Sequence, residues 1–287
     1  MASISVALCT YNGERFLSQQ LESLAAQTVL PDELVICDDA SSDGSMRILE
    51  DFAKKAPFIV RIFKNPKNLG YIKNFEKAIG LCSMDVIFLC DQDDYWESEK
   101  LNQVLKVFDT EEDVGMVLHG FRKIDLHGAH YIEAEEKYGV DQISANQLDE
   151  VFRSNSIEVF LLPNSRAWCG CMTAFRRKFN ELIIPIFPGK GHDDWILKVI
   201  APVSEIRFLP DPLVRYRIHA WNNNSHEVGN KNFKHHLQRF LRRVNAVLKG
   251  HSKRNFYRML VERVDHSKMS LKHPQLLDIY KKYIKFF

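Results

Sequence analysis

An α/β fold, with a mixed but mostly parallel sheet and helices on both faces, is predicted by three features of the chain. Through the first hundred residues, short runs rich in β-branched residues alternate with stretches whose apolar residues recur three and four apart. The short runs are apolar throughout, which suits strands covered on both sides in a parallel sheet. With 287 residues, 45% hydrophobic and 26% charged, the chain can bury a sizeable core in one globular unit with an appendage.

The elements follow in order. A strand from Ile4 to Cys9 precedes a helix with Phe16, Leu17, Leu21 and Leu24 on one face, which should stop near Gln27-Thr28, before Pro31. A second strand, Glu33 to Cys37, leads through the capping run Ser41-Ser42-Asp43 into a helix that buries Met46, Ile48, Leu49 and Phe52. The third strand is Phe58 to Phe63, and its helix follows Gly70 with Ile72, Phe75, Ala78 and Ile79 inward. The fourth is Val86 to Cys90, ahead of a helix carrying Leu101, Val104, Leu105 and Phe108. Residues 1–110 thus read as a right-handed βαβαβαβ half, each strand covered on both faces.

Residues 111–227 form a second, less regular half. Expected there are a strand from Val114 to Phe121, a turn at His127-Gly128, and a polar stretch to Leu148. Strands at Val159 to Leu162 and Trp168 to Phe175 precede a short helix, Asp193 to Ala201. Ile206 to Ile218 reads as strands interrupted by Pro210 and Pro212. Residues 228–287 are a basic, amphipathic helical tail, in which Phe233, Leu237, Phe240, Leu241, Val244 and Val247 alternate with lysines and arginines.

The net charge of +2 conceals an asymmetry: the tail has 15 basic against 3 acidic residues, and residues 1–227 carry the opposite excess. The tail has three readings: a cationic face for an anionic membrane, a docking surface for a partner, or a helix packed on the domain. Nucleic acid is disfavoured, since no nucleic-acid module accompanies the charge. No apolar stretch is long enough to span a membrane and the start lacks a signal-peptide pattern, so a cytoplasmic protein, peripheral on the inner membrane face, is expected. The six scattered cysteines read as buried thiols of a reducing compartment, and Cys169-Gly-Cys171 lacks the usual zinc or redox spacing.

Ligands of open parallel sheets bind outside the carboxyl ends of the strands, and three strands end there in polar clusters. They are Thr10-Tyr11-Asn12-Gly13-Glu14, Asp38-Asp39-Ala40-Ser41-Ser42-Asp43-Gly44 and Asp91-Gln92-Asp93-Asp94. An aromatic ring after the first strand can stack on a base, and a carboxylate after the second can accept from a ring N–H or a ribose hydroxyl. Helix capping is the alternative for Asp38, Ser41 and Asp43. Three carboxylates within four residues repel one another unless a cation sits among them, and such oxygen ligands suit Mg²⁺ or Mn²⁺ on a diphosphate. For Asp94 the alternative is again a helix cap.

These segments together resemble the large family of inverting glycosyltransferases with the GT-A fold, the Rossmann-like fold of nucleotide-diphospho-sugar transferases. The resemblance runs from about Ser3 to Ser225 and rests on Val6-Ala-Leu-Cys-Thr-Tyr-Asn-Gly-Glu-Arg-Phe-Leu, Leu34-Val-Ile-Cys-Asp-Asp-Ala-Ser-Ser-Asp-Gly and Phe88-Leu-Cys-Asp-Gln-Asp-Asp. It implies transfer of a sugar from a nucleotide diphosphate, UDP or dTDP favoured, to a saccharide or lipid-linked saccharide in bacterial surface polysaccharide synthesis. It places Thr10, Tyr11, Asn12, Glu14, Asp39, Asn68, Lys73 and Asp91 at the nucleotide; a solvated helix position is the alternative for Lys73. It places Asp91 and Asp93 at the metal. Pro212-Leu-Val-Arg-Tyr-Arg-Ile-His219-Ala-Trp-Asn-Asn resembles a later motif of relatives that make bacterial surface polysaccharides. That implies that a neutral His219 completes the metal shell or contacts the diphosphate, with Arg215 or Arg217 balancing phosphate charge; a histidine satisfied by local hydrogen bonds is the structural alternative. Gly191-His-Asp-Asp-Trp-Ile resembles the family's motif for the catalytic base, which puts the base at Asp193 with Asp194 as its rival; helix capping is the structural alternative for both. Trp168, Cys169 and Gly170 are candidates for the acceptor pocket.

Other classes fit less well. A nucleotidyltransferase would begin with a glycine-rich, basic phosphate loop, and a dinucleotide oxidoreductase would need more than Gly13 after the first strand. A non-catalytic nucleotide-sugar binder would not require Asp93 and Asp193 together.

Overall fold

The computed structural model describes residues 1–129, 169–188, 191–219 and 254–286. Strands β1 (Ile4–Thr10), β2 (Glu33–Asp38), β3 (Ile59–Lys64) and β4 (Val86–Cys90) alternate with helices α1 (Glu14–Ala25), α2 (Ser45–Ala53) and α3 (Tyr71–Leu81). Then come β5 (Tyr95–Trp96), α4 (Lys100–Thr110), β6 (Val114–Ile124), β7 (Thr173–Arg176), α5 (Asn180–Ile183), α6 (His192–Ile200) and β8 (Glu205–Arg217). Residues 254–266 are helical, here α7, and α8 spans Pro274–Phe286.

The described strands form one sheet in the order β3-β2-β1-β4-β7-β6-β8-β5. The first four are parallel, β7 is antiparallel to both its neighbours, β6 and β8 are parallel, and β5 closes the edge antiparallel to β8. From β1 the chain winds outward to β3 and then returns across β1 to β4. That reversal opens a crevice at the carboxyl ends of β1 and β4, where an α/β sheet takes its ligand. Register brings the three polar loops to the same rim, with Thr10 opposite Asp38 and Leu8 opposite Cys90.

Every residue of β1, β2 and β4 is buried, so both faces of these strands are covered. β3 departs from that expectation: it is the edge strand, only partly buried, because one side has no neighbouring strand. The expected strand from Trp168 to Phe175 is also corrected. A 3₁₀ turn over Gly170–Met172, in which Met172 N donates to Cys169 O, delays entry into the sheet until Thr173. The interrupted strands from Ile206 to Ile218 are one strand, β8, whose prolines fall where its register with β6 shifts. Pro210 and Asp211 bulge outward over Gly120, where a Cβ would lie 2.6 Å from the Pro210 carbonyl oxygen. The expected strand Val159 to Leu162 and Trp168 lie outside the described residues, as do 220–253 of the tail.

The described part of the tail packs on the domain. Phe256, Tyr257, Leu260, Leu276, Leu277 and Tyr280 join the core that contains Trp195 and Ile196. Each such buried side chain contributes roughly 1.5–3 kcal/mol relative to exposure. Polar ties align the two parts: Tyr280 Oη donates to Lys198 O (3.0 Å) and Arg263 donates to Ile184 O (2.7 Å). Arg258, Lys281, Lys282 and Lys285 remain exposed on the outer side. No helix among the described residues is long and apolar enough to cross a membrane.

Candidate active site

The rim is built by side chains that tie one loop to the next. Thr10 ends β1 fully buried, and its hydroxyl donates to Asp38 Oδ2 (2.9 Å), which also accepts from Ser41 Oγ. Asn12, at φ +48°, accepts from Ser42 N at its Oδ1 while its own N donates to Ser41 Oγ. Glu14 accepts from Gly44 N (2.9 Å) and its own N donates to Asp43 Oδ2. Thr10, Asn12 and Glu14, expected at the nucleotide, therefore have polar groups engaged in loop-to-loop bonds, and they shape the wall. Tyr11 differs. Its backbone N and O exchange bonds with the Gln92 amide (2.8 and 3.0 Å), while its side chain is left exposed at the rim. Gln92 was not anticipated from sequence; it locks the β1 loop to the β4 loop, and Gly13 leaves the room its side chain needs.

Asp39 sits buried behind β2 and organises the third wall. Its Oδ1 accepts from Asn65 Nδ2 and Leu69 N (both 2.8 Å), and its Oδ2 accepts from Gly70 N (2.9 Å). Gly70 adopts φ +82°, open to glycine at no steric cost, and starts α3. Asn68 lies in the same loop, its Oδ1 also accepting from Gly70 N. Lys73 does not join the group: it is exposed and pairs with Glu76 on its own helix.

At the mouth of β4 the three carboxylates take different positions. Asp93 Oδ2 lies 2.8 Å from His219 Nε2, and His219 stacks on Phe16 at 5.2 Å between centroids. Asp94 is fully buried, its Oδ1 accepting from Arg217 N (3.1 Å), so it braces β8 and is no helix cap. Burial first, then the Asp93 and Asp91 charges, push its carboxyl well above the ordinary range. The Asp91 carboxyl is pushed up to about 7 by burial, then by Asp93 and Asp193. The Asp93–His219 pair and the neighbouring Asp91 offer oxygen and nitrogen donors of the kind Mg²⁺ or Mn²⁺ takes, although the ligand atoms that converge within 4.8 Å among the described residues are those of Asp91, Asp94 and Cys171.

Two cations back this centre. The Arg217 guanidinium donates to Asp93 O (2.9 Å), Asp125 O (3.0 Å) and Gln19 Oε1 (2.8 Å), and lies over the Phe16 ring. Arg215, its rival, instead pairs with Glu97 away from the carboxylates. Lys100 is fully buried, with Nζ 3.3 Å from the centroid of the Trp96 ring and donating to Cys171 O (2.7 Å). Burial lowers its ammonium to about 8. Nothing in the sequence marks Lys100, because a lysine opening a helix ordinarily faces water.

The acidic pair at the start of α6 is divided. Asp193 Oδ1 accepts from Asp194 N, in space that exists because Gly191 has no Cβ. The charge of Asp193 is felt by Asp91 and by Tyr71, on the pocket side. Asp194 turns the other way, into an ion pair with the buried Lys198, near Tyr257 and Tyr280. His192 is buried and stacked on Phe75 at 4.0 Å, and Gly170 packs so closely that a Cβ there would lie 2.5 Å from its Nε2. Cys169 is half-buried, and its Sγ lies 3.1 Å from Cys171 Sγ.

Comparison with known proteins identifies the family and the fold. The profile of the family described as "Glycosyl transferase family 2" matches residues 5–183. An uncharacterized glycosyltransferase of Nostoc is 32% identical over 230 residues, which are 77% of this chain and 66% of that protein. The chain spans about three-fifths to two-thirds of the length of the first curated relatives it matches. Among solved structures, S. aureus TarS 1-349 in complex with UDP-GlcNAc aligns with a TM-score of 0.64 at 18% identity, over 99% of this chain and 73% of that one. The mannosyltransferase PcManGT from Pyrobaculum calidifontis, in complex with GDP-Man and Mn²⁺, aligns at 0.54 and 17% identity, over 99% and 74%. These likenesses show the fold, which is GT-A.

Proposed function

Because the chain belongs to glycosyl transferase family 2, we propose that it moves a sugar from a nucleotide diphosphate to an acceptor hydroxyl with inversion at the anomeric carbon. Support for this reading comes from the division of the acidic pair: the Asp193 charge is felt at Asp91, while Asp194 is held by Lys198. In the proposed step the acceptor oxygen loses its proton to the Asp193 carboxylate and bonds to the anomeric carbon. The bond from that carbon to the diphosphate breaks on the opposite face, and its electron pair leaves with the nucleotide. Attack and departure on opposite faces give inversion.

The donor would lie along the rim. The Tyr11 ring stacks on the base, and Asp39, already holding the wall, presents its remaining lone-pair capacity to a base or ribose donor. Asn68 and Asp91 line the ribose, and Arg217 keeps the carboxylates in place. Asp91, Asp93 and His219 would hold Mg²⁺ or Mn²⁺, which when bound supplies positive charge to the leaving diphosphate. UDP and dTDP sugars are the favoured donors, and the acceptor is a saccharide or lipid-linked saccharide of a bacterial surface polymer. The exposed cations of α7 and α8 and the basic 228–253 segment support peripheral contact with an anionic inner membrane face.

Thermal stabilisation by UDP, dTDP and GDP, each with and without Mn²⁺, tests the donor site. A nucleotide at about 100 times its dissociation constant adds about 2.7 kcal/mol to apparent stability. Manganese-dependent stabilisation by one nucleotide is expected, and no response from folded protein would remove the reading.

A further inference from the structure

We infer that the floor of the crevice is a second cation site, one selective for a thiophilic divalent ion such as Zn²⁺, formed by Asp91, Asp94, Cys171 and Cys169. One carboxylate oxygen each from Asp91 and Asp94 and the Cys171 Sγ lie within 4.8 Å of one another. Cys169 adds a second sulfur 3.1 Å from the first. Asp94 and Cys171 are fully buried and side by side, the Cys171 thiol against the Asp94 carboxyl, and Asp94 Oδ2 has no nitrogen or oxygen donor among the described residues. A buried carboxylate oxygen served by no more than a weak thiol donor costs free energy, and a cation bridging it to the sulfur removes that cost. Asp91 and Cys169 are half-buried and provide the way in.

The donor set decides which ion. Mg²⁺ takes oxygen ligands, whereas zinc accepts mixed thiolate and carboxylate shells. With Zn–S near 2.3 Å and Zn–O near 2.1 Å, two sulfurs on a tetrahedral ion stand roughly 3.8 Å apart, and sulfur and oxygen roughly 3.5 Å. The sulfurs here are somewhat closer and the wider group somewhat looser, differences on the scale of side-chain rotation. Each ligating thiol gives up its proton to solvent, so uptake releases acid. The site needs only the packing of β4 and the Gly170–Met172 turn. If Asp91 also serves the proposed transferase centre, zinc held here would compete with Mg²⁺ or Mn²⁺ and inhibit transfer.

The test is spectroscopic and independent of activity. Co²⁺ is titrated into the whole chain, reduced with a phosphine, while the thiolate-to-cobalt charge-transfer band in the near ultraviolet is followed. The wild type should develop the band and lose it when Zn²⁺ is added, Cys171→Ser should lose at least half of it because only the Cys169 thiolate remains, and Asp94→Asn should weaken cobalt binding about tenfold or more. Melting in chelator verifies that each variant folds. A wild type without the band, or an undiminished band in Cys171→Ser, overturns the proposal. Should Cys171→Ser not fold, Cys169→Ser and Asp94→Asn decide, and wild-type cobalt affinity in both overturns it.

Discussion

Asp194 and Lys198 form an ion pair one helical turn apart on α6, with the lysine side chain 1% exposed and the aspartate 20%. The pair fastens α6 where α8 crosses it, since Tyr280 Oη donates to the Lys198 carbonyl. It also turns Asp194 toward Tyr257 and Tyr280, while the charge of Asp193 is felt at Asp91.

The two adjacent aspartates should therefore fail differently. Asp193→Asn is expected to lower transfer by roughly 10²–10⁴-fold while nucleotide binding persists. Asp194→Asn removes the carboxylate charge that the buried Lys198 pairs with and should cost about 3 kcal/mol of stability, the low end for a broken buried pair because the aspartate is partly exposed. Denaturant unfolding beside a transfer assay separates them, and an unaltered rate in Asp193→Asn would remove it from the mechanism.

Asp39→Asn places an amide N–H where one carboxylate oxygen now accepts from Leu69 N or Gly70 N. One N–H is left facing a donor, which should cost about 1–3 kcal/mol and loosen the loop ahead of α3. Titration with UDP or dTDP should show weakened binding along with the lower melting temperature. Equal nucleotide affinity in the variant would place the base elsewhere.

Arg217→Lys should be far more damaging than Arg215→Lys. The Arg217 guanidinium reaches acceptors on three separate segments at once, which a single ammonium cannot reproduce. Arg215 makes one partly exposed pair, worth at most about 1 kcal/mol. Metal-dependent nucleotide stabilisation should fall in the first variant and stay unchanged in the second.

Acid stability should depend on Glu33. Burial alone would raise its carboxyl, but bonds from Ser5, Ser83 and Arg61 outweigh burial and hold it below the usual 4.5. A depressed carboxyl stabilises the fold at pH above its unfolded value and loses that contribution as pH falls through the lowered folded value. Glu33→Gln should melt lower at neutral pH and show a shallower decline below pH about 4.5, read from melting temperatures across the acid range.

Much of the first half was legible because its signals are local. The strand positions, the helix after Gly70 and the carboxylates after Cys90 depend on periodicity and on residues at strand ends, and those hold whatever the rest of the chain does. The edge exposure of β3, the turn before Thr173 and the continuity of β8 were not legible, since each depends on which strand lies alongside. Lys73 and Lys100 show the same limit: both are lysines near the start of a helix, yet one pairs in the open and the other lies under Trp96.

The order of apolar and polar residues by itself determined an α/β sheet with three acidic or aromatic loops at its strand ends, because alternation and turn chemistry act over a few residues. Only the tertiary structure decided which of those groups share a space. It paired Asp194 with Lys198, set Arg217 against the Asp93 carbonyl and Arg215 against Glu97, and brought Cys171 beside Asp91 and Asp94. All but the Asp194–Lys198 pairing, which lies within one helical turn, depend on distances between segments some eighty to two hundred residues apart, which are set when burial of the common core fixes how the strands lie side by side.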